Sequence, residues 1–329
     1  MAFGFALSSS SKAAGFEGVV VSIKPLHSLV AAVMKGVDEP KLIVQGAGSA
    51  HSYSMKPSDA DAMQKARVIF WAGPGLETFL AKPIETLGQG SEIVELGTAK
   101  GLKKLPFREG GPFEAHDHGE EGGHDQHHEG GHDHDHEHPD SHKSHAEHAG
   151  HDHVHADHDL HFWLDPDNAE ALVTDIAARL SEIDPEHARL YQDNAKAYRA
   201  GLAALGKQVA AELEPVRGQP FIVFHDAYQY FENRFGLNAV GSITVSPEKA
   251  PGAARLRQIN EKIVQSGAVC VFSEPQFESR LVNTIIEGTN AKTGVLDPLG
   301  ADLEPGPELY PQLIRNLAKS LKDCLSPVQ

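Results

Sequence analysis

The 329-residue sequence lacks any run of 18 or more apolar residues, which excludes a membrane-spanning helix in the chain as given. A basic stripe is missing too: 46 Asp and Glu outnumber 29 Lys and Arg, and the formal net charge is -17. Because proteins that bind nucleic acid need clustered positive charge to neutralise phosphates, we expect no nucleic-acid partner. The nucleophile-elbow motif GxSxG and a complete P-loop are also absent.

Cysteine is scarce. Only Cys270, inside the apolar run AVCVF, and Cys324, near the C-terminus, occur. An even number permits one disulfide and is typical of an oxidising compartment. Two unrelated buried thiols explain the same residues equally well, so both interpretations stay open at this point.

Histidine, in contrast, is abundant and concentrated in one stretch. Residues 114–159 hold 16 of the 21 histidines and 14 of the 46 acidic residues. A stretch of Gly, His, Asp and Glu cannot bury enough apolar surface to fold, so we predict a disordered loop over 114–159. Its imidazoles and carboxylates can bind zinc, copper or nickel in many arrangements, which favours an accessory metal collector over an inert linker. The accessory histidines are His116, His118, His124, His127, His128, His132, His134, His136, His138, His142, His145, His148, His151, His153, His155 and His158.

Outside this stretch, short apolar runs rich in β-branched residues alternate with helical patterns. This alternation predicts an α/β fold with parallel sheets covered by helices on both faces. The predicted strands are 17–23, 41–45, 67–72 and 92–96, followed by 220–224, 237–245, 268–272 and 293–297. The chain is long enough for two domains, each able to bury its own core.

The longest helical pattern separates the two sets of strands. We therefore predict an N-terminal lobe over 19–184 that includes the His-rich loop, a linking helix over 185–215 and a C-terminal lobe over 216–329. Residues 1–18 are either the remnant of a secretory signal or a disordered tail. A cleft between the lobes is the expected place for a ligand.

Three of the five remaining histidines stand where a strand gives way to a loop or helix. His51 follows the strand over 41–45, His161 opens HFWLDP, and His225 directly follows PFIVF. Because the carboxyl ends of parallel strands line the ligand crevice, these side chains can converge there. Three imidazoles with one carboxylate, such as Asp297 in LDPLG, or with a water, suit tetrahedral zinc. The other two, His27 and His187, are expected to be structural or solvated.

Five stretches carry a family resemblance, namely HSYSMKPSDADAMQKARVIFWAGPGLETFL, HFWLDP, FHDAYQYFENRFGL, SEPQF and VLDPLG. From about Val19 to Cys324 the chain resembles the zinc-binding, periplasmic substrate-binding proteins of ABC importers, the ZnuA type. The resemblance implies two Rossmann-like lobes bridged by a rigid long helix, with a metal site in the interlobe cleft. It also implies zinc ligation by His51, His161 and His225, and a disulfide between Cys270 and Cys324.

The function implied is high-affinity zinc capture and delivery, without catalysis, to the membrane permease subunits of an ABC importer, by a periplasmic monomer. One departure concerns the fourth ligand: some zinc members have a glutamate where Ala50 stands here, which leaves Asp297 or water. Three histidines favour zinc over manganese. The alternatives are a zinc-dependent hydrolase, with Asp226 or Glu274 as base, and a surface adhesin or zinc chaperone.

Overall fold

The computed structural model describes residues 15–108, 113, 158–244, 251–277 and 280–327. The first half contains β1 (Val19–Val21), α1 (Lys24–Val33), β2 (Lys41–Leu42), α2 (Pro57–Gln64), β3 (Val68–Trp71), α3 (Thr78–Leu87) and β4 (Glu92–Glu95), and it ends with α4 (Pro166–Ile183). Next comes α5 (Ala188–Leu213), with short 3-10 turns at Pro185–His187 and Glu214–Val216. The second half contains β5 (Pro220–His225), α6 (Gln229–Phe235), β6 (Asn238–Thr244), α7 (Ala253–Ser266), β7 (Cys270–Ser273), α8 (Arg280–Ile286), β8 (Lys292–Val295) and α9 (Leu309–Leu325). Among these described helices, none combines the length and the apolar character that a membrane crossing requires.

Two parallel sheets of four strands share one topology. Their strand orders are β2-β1-β3-β4 and β6-β5-β7-β8, and every strand pair is parallel. The inner strands β1 and β3 are buried along their whole length, which is why their sequences, VVV and VIFW, are continuous apolar runs. In each sheet the second strand in sequence lies on one side of β1 or β5, and the third strand lies on the other side. At such a switch in strand order, a crevice for ligands forms beyond the carboxyl ends of the strands. The predicted α/β architecture with two parallel sheets is confirmed.

The predicted long helix is present as α5. Its 26 residues span about 39 Å at 1.5 Å per residue. The helix contacts both halves: the Asn194 side chain donates to the Val33 carbonyl at 2.9 Å, and the Tyr198 hydroxyl donates to the Pro307 carbonyl at 2.8 Å. Its bridging position follows from these contacts.

One hydrophobic core runs through both lobes. It joins Val21 in the first sheet and Leu172 on α4 to Phe272 in the second sheet and Leu317 on α9. A smaller cluster, around Ile259, lies under α7 and α8 on the outer face of the second sheet. The shared core fixes the carboxyl ends of the two sheets relative to each other.

The disulfide between Cys270 and Cys324 is confirmed. It joins the first residue of β7 to the last turn of α9, so the interpretation as two unrelated thiols is wrong. Most of the predicted disordered loop, 114–157, lies outside the described residues, as do residues 1–14. The last two residues of that loop, His158 and Asp159, are described, and both are buried.

Candidate metal site

Three imidazoles meet in the cleft between the lobes. His51 lies in the loop between β2 and α2, His161 lies just before a 3-10 turn that leads into α4, and His225 is the last residue of β5. Their ring centroids form a near-equilateral triangle with sides of 5.5, 5.6 and 5.2 Å. One nitrogen from each ring lies within 4.8 Å of the others, and within the described ranges no other group of three His, Cys, Asp or Glu meets this criterion. The structure thus brings together three of the four ligands considered from the sequence.

A buried carboxylate orients His225. Glu274 Oε1 lies 2.7 Å from His225 Nδ1 and also accepts a hydrogen bond of 3.1 Å from the Tyr228 hydroxyl. Burial alone would lower the pKa of His225, but the charge of Glu274 and its hydrogen bond outweigh burial and raise that pKa. With Nδ1 engaged by Glu274, Nε2 is left to face the cleft, 3.4 Å from Nε2 of His161. Metal-binding histidines commonly have such a carboxylate partner.

A second carboxylate orients His161 in the same way. Asp159 Oδ1 lies 2.7 Å from His161 Nδ1 and accepts the His161 backbone N–H at 2.9 Å. The backbone of Asp159 is itself fixed, because its carbonyl accepts from the Tyr230 hydroxyl at 2.7 Å and its N–H donates to Leu105 at 2.9 Å. Since Tyr230 belongs to α6 of the other lobe, the orientation of His161 depends on both lobes.

The cavity at the three imidazoles is small and largely apolar. Its walls include Ala50, Leu76 and Phe277, and its volume is about 10 Å³. The figure is the volume that the centre of a water molecule could occupy. A cavity needs about this volume to hold one water. The Trp163 indole N–H donates to the Pro298 carbonyl at 3.0 Å and links the two lobes beside the cavity. The cavity therefore fits one ion or one water.

Asp297 does not belong to this group. Its carboxylate accepts hydrogen bonds from the Gln276 side chain at 2.9 Å and from the backbone N–H groups of residues 299, 300 and 301 at 3.0, 2.9 and 2.5 Å. The same loop is held from its carbonyl side by the buried Lys24 ammonium, which donates to Gly300 at 2.9 Å and Ala301 at 2.6 Å. In this structure Asp297 shapes its own loop.

The remaining histidines take other positions. His27 Nε2 lies 2.8 Å from the Pro40 carbonyl, and His187 Nδ1 lies 2.7 Å from Asp184. His158 is buried and lies near Glu95. Burial raises the pKa of Glu95, and the charges of Lys104 and His158 offset only part of that rise. The other fifteen accessory histidines lie outside the described residues.

Sequence reasoning missed the two orienting carboxylates. Glu274 was considered only as the base of a hydrolase, although it directly follows β7, just as His225 ends β5, and the carboxyl ends of neighbouring strands meet. Asp159 stands at the end of a stretch whose composition predicts disorder, so no local signal separated it from its neighbours.

Comparison with known proteins identifies the family. The family model described as "ZnuA: Zinc-uptake complex component A periplasmic" matches residues 19–324. The chain belongs to the ZnuA family. It is 70% identical over 317 residues to the "High-affinity zinc uptake system protein ZnuA" of Brucella suis biovar 1 (strain 1330), which covers 96% of this chain and 94% of that protein.

Solved structures show the same fold. A crystal structure of ZnuA has a TM-score of 0.71 and 22% identity over 94% of this chain and 98% of that chain. A laminin-binding adhesin from Streptococcus agalactiae also reaches a TM-score of 0.71, with 22% identity over 94% of this chain and 100% of that chain. The expected family resemblance is confirmed, and the ZnuA family is by its description a periplasmic component of a zinc-uptake complex, which is a transport role.

Proposed function

We propose that this member of the ZnuA family captures zinc with high affinity in the interlobe cleft, with His51, His161 and His225 as ligands. The observation that carries the proposal is the convergence of three imidazoles, with ligand nitrogens within 4.8 Å of one another, in a cavity of about 10 Å³. Nitrogen donors suit zinc better than manganese, which prefers oxygen. The ion is cargo, to be delivered in the periplasm to the permease subunits of an ABC-type importer.

We propose water as the fourth ligand, with Asp297 as the second choice. Four hydrogen bonds already engage the Asp297 carboxylate, three of them from backbone N–H groups of its own turn. Coordination by Asp297 would break some of these bonds and leave donors without acceptors, which is costly in a buried turn. A water in the cavity requires no such change.

The His-rich stretch takes an accessory role in this proposal. Its histidines bind zinc weakly and in many arrangements, and they raise the local zinc concentration near the cleft. This assignment is based on composition, because residues 114–157 lie outside the described ranges.

A zinc hydrolase is the weaker alternative. Three histidines with an open fourth position also occur in hydrolytic zinc sites. Residues 128–132, HEGGH, match the spacing of a metalloprotease motif, but that motif acts from a helix, and Gly130 and Gly131 disfavour one. The space of about 10 Å³ at the three imidazoles is far smaller than an ordinary substrate pocket, which disfavours an ester or peptide beside the ion. The adhesin alternative rests on fold likeness alone.

Competitive zinc titration tests the proposed site. The full chain is compared with a variant lacking residues 116–157, with His225→Ala, and with His187→Ala as the matched control outside the cleft. We expect one tight site in the full chain, in the deletion variant and in His187→Ala, and loss of that site in His225→Ala. Loss of tight binding in the deletion variant would instead assign the site to the His-rich stretch.

Delivery is tested with the permease subunits. We propose that the protein acts as a monomer that docks on them, so we expect zinc-loaded protein to elute as a monomer in size-exclusion chromatography and to be captured by permease subunits in detergent. Capture should be followed by transfer of zinc to a chelator. A protein that binds zinc tightly and shows no capture would contradict the delivery step while leaving the zinc site intact.

A further inference from the structure

A short segment ahead of the His-rich stretch crosses from the first lobe to the second. We call residues 103–108 the strap. Within it, the Leu105 N–H donates to the Tyr230 hydroxyl at 3.0 Å, and the Pro106 carbonyl accepts from the Gln229 side chain at 3.0 Å. Both partners belong to α6, which directly follows the loop after His225. The strap therefore attaches the first lobe to the segment that carries one of the proposed zinc ligands.

Arg108, at the end of the strap, makes the strongest of these contacts. Its Nε lies 3.0 and 3.1 Å from the two carboxylate oxygens of Asp226, and its Nη1 and Nη2 lie 2.8 and 3.0 Å from those of Glu232. Nη2 also contacts Asp226. The side chains of Asp226 and Glu232 are only 5% and 7% exposed, so little water screens these ion pairs.

One guanidinium thus serves two buried carboxylates. Burial and the nearby charge of Asp226 raise the pKa of Glu232, and Arg108 opposes both effects. Without Arg108, two carboxylates in the same buried place would repel each other, and the segment from 225 to 232 would have to move or take up water. A lysine could not replace the planar fork, because its ammonium is a single point of charge.

The position of Asp226 gives this clamp a functional consequence. Asp226 directly follows His225, and the helix that carries Glu232 begins just after Tyr228, whose hydroxyl holds the carboxylate behind His225. From this geometry we infer that Arg108 is a positioning residue for zinc. It holds the His225 segment of the second lobe against His51 and His161 of the first. The inference rests on the proposed function and adds that loss of Arg108 speeds zinc release without changing the number of tight sites.

Arg234 provides a matched control. It lies on α6 and, like Arg108, bridges the lobes, because its Nη2 contacts Asp167 at 2.8 Å and its Nε lies 3.6 Å from Asp165. Neither of these partners adjoins a proposed ligand. Arg108→Gln and Arg234→Gln therefore each remove one interlobe guanidinium that has two carboxylate partners, and only Arg108 contacts the residue next to His225.

The experiment measures zinc dissociation from the full chain into excess chelator, following the slow phase that His225→Ala abolishes. We expect Arg108→Gln to accelerate this phase roughly 10-fold, Arg108→Lys to lie between Gln and wild type, and Arg234→Gln to stay within about twofold of wild type. The absorption bands of bound Co²⁺ should change in Arg108→Gln and remain native in Arg234→Gln. A clamp that only stabilises the fold would lower the unfolding temperature and leave the dissociation rate and the Co²⁺ bands unaltered.

Two results would overturn the inference. One is an Arg108→Gln variant whose zinc dissociation rate and Co²⁺ spectrum equal those of the wild type. If Arg108→Gln does not fold, the same result in Arg108→Lys counts instead. The other is equal acceleration in Arg108→Gln and Arg234→Gln, which would indicate a general effect of interlobe ion pairs. A wild-type protein without a slow phase would contradict the proposed function itself and the inference with it.

Discussion

At the scale of single residues, the candidate site is built from pairs of imidazole and carboxylate. Glu274 and Asp159 each lie 2.7 Å from the Nδ1 atom of a histidine, and this leaves the Nε2 atoms of His225 and His161 facing one another at 3.4 Å. A carboxylate on Nδ1 selects the tautomer whose Nε2 carries the free lone pair. The two rings are therefore oriented for an ion before it arrives.

Replacement of Glu274 by glutamine tests this orientation. The amide oxygen of the introduced side chain can still accept from Nδ1, but the negative charge that increases the basicity of the ring is lost. We expect Glu274→Gln to weaken zinc binding by roughly 10- to 100-fold in a competitive titration. Glu304→Gln, at an exposed carboxylate of the loop after β8, should bind like the wild type. Equal affinity in both variants would show that the charge behind His225 is not needed.

At the scale of secondary-structure elements, a buried glutamate joins the ends of β1 and β3. Glu77 Oε2 accepts the backbone N–H groups of Ala72 at 2.8 Å and Gly73 at 3.0 Å, and its other oxygen accepts from the Ser22 hydroxyl. The side chain is fully buried, and burial raises its pKa to about 7. This carboxylate lies at the carboxyl edge of the first sheet, next to Leu76 of the cavity wall.

The raised pKa of Glu77 makes stability depend on pH. Between the ordinary value of 4.5 and about 7, the folded state binds more protons at Glu77 than the unfolded state does. Stability therefore falls as the pH rises through this window, by up to about 3 kcal/mol at pH 8. In Glu77→Gln, the amide oxygen can accept the two N–H groups while the amide nitrogen donates to Ser22, and nothing ionises.

We therefore expect Glu77→Gln to be more stable than the wild type at pH 8 and to lose this advantage at pH 5. The measurement is denaturant unfolding of zinc-free protein from pH 5 to 8, with Glu85→Gln, at an exposed position of α3, as the control. Titration of His225 contributes equally to both proteins and cancels in the difference. Parallel stability curves for the wild type and Glu77→Gln would contradict the assignment.

The disulfide anchors α9 to the second sheet. Its two cysteines are separated by 54 residues, so in the chain-entropy model it stabilises the folded state by about 4 kcal/mol. We expect the double variant Cys270→Ser, Cys324→Ser to lose about this much free energy of unfolding. Zinc stoichiometry should stay the same, because Cys270 begins β7 while Glu274 follows its opposite end. An unchanged free energy of unfolding would refute this role.

The elements also show which parts of the molecule the sequence predicts. Buried strands such as β3 are easily recognised because helices cover both faces and every residue is apolar. His51 and His225 are predictable because each follows an apolar run that reads as a strand, and the carboxyl ends of such strands line a ligand crevice. Asp297 follows a strand too, but its carboxylate accepts backbone N–H groups of the next turn. These local hydrogen bonds compete with metal ligation. Arg108 lies in no periodic pattern, and its partners are 118 and 124 residues away.

At the scale of the whole molecule, the lobes are less independent than the sequence predicts. Chain length suggested two domains, each with its own core, yet one core continues through both lobes. Tyr310 of α9 illustrates the reason: its hydroxyl donates to the Trp163 carbonyl at 2.7 Å, and its backbone N–H donates to Ser28 of α1 at 2.9 Å. The periodicity of a helix shows which face is apolar but not which lobe covers it.

A shared core predicts that the two lobes unfold together. We expect a single calorimetric transition for the zinc-free protein, with equal calorimetric and van't Hoff enthalpies. Because the three proposed ligands come from both lobes, zinc should stabilise the whole unit, by about 4 kcal/mol at a free concentration 1,000 times the dissociation constant. The transition should then move upward without splitting, and His225→Ala should abolish the shift while His187→Ala keeps it. Two resolved transitions, with zinc moving only one of them, would mean that the lobes fold separately and that the cleft closes by docking two independent units.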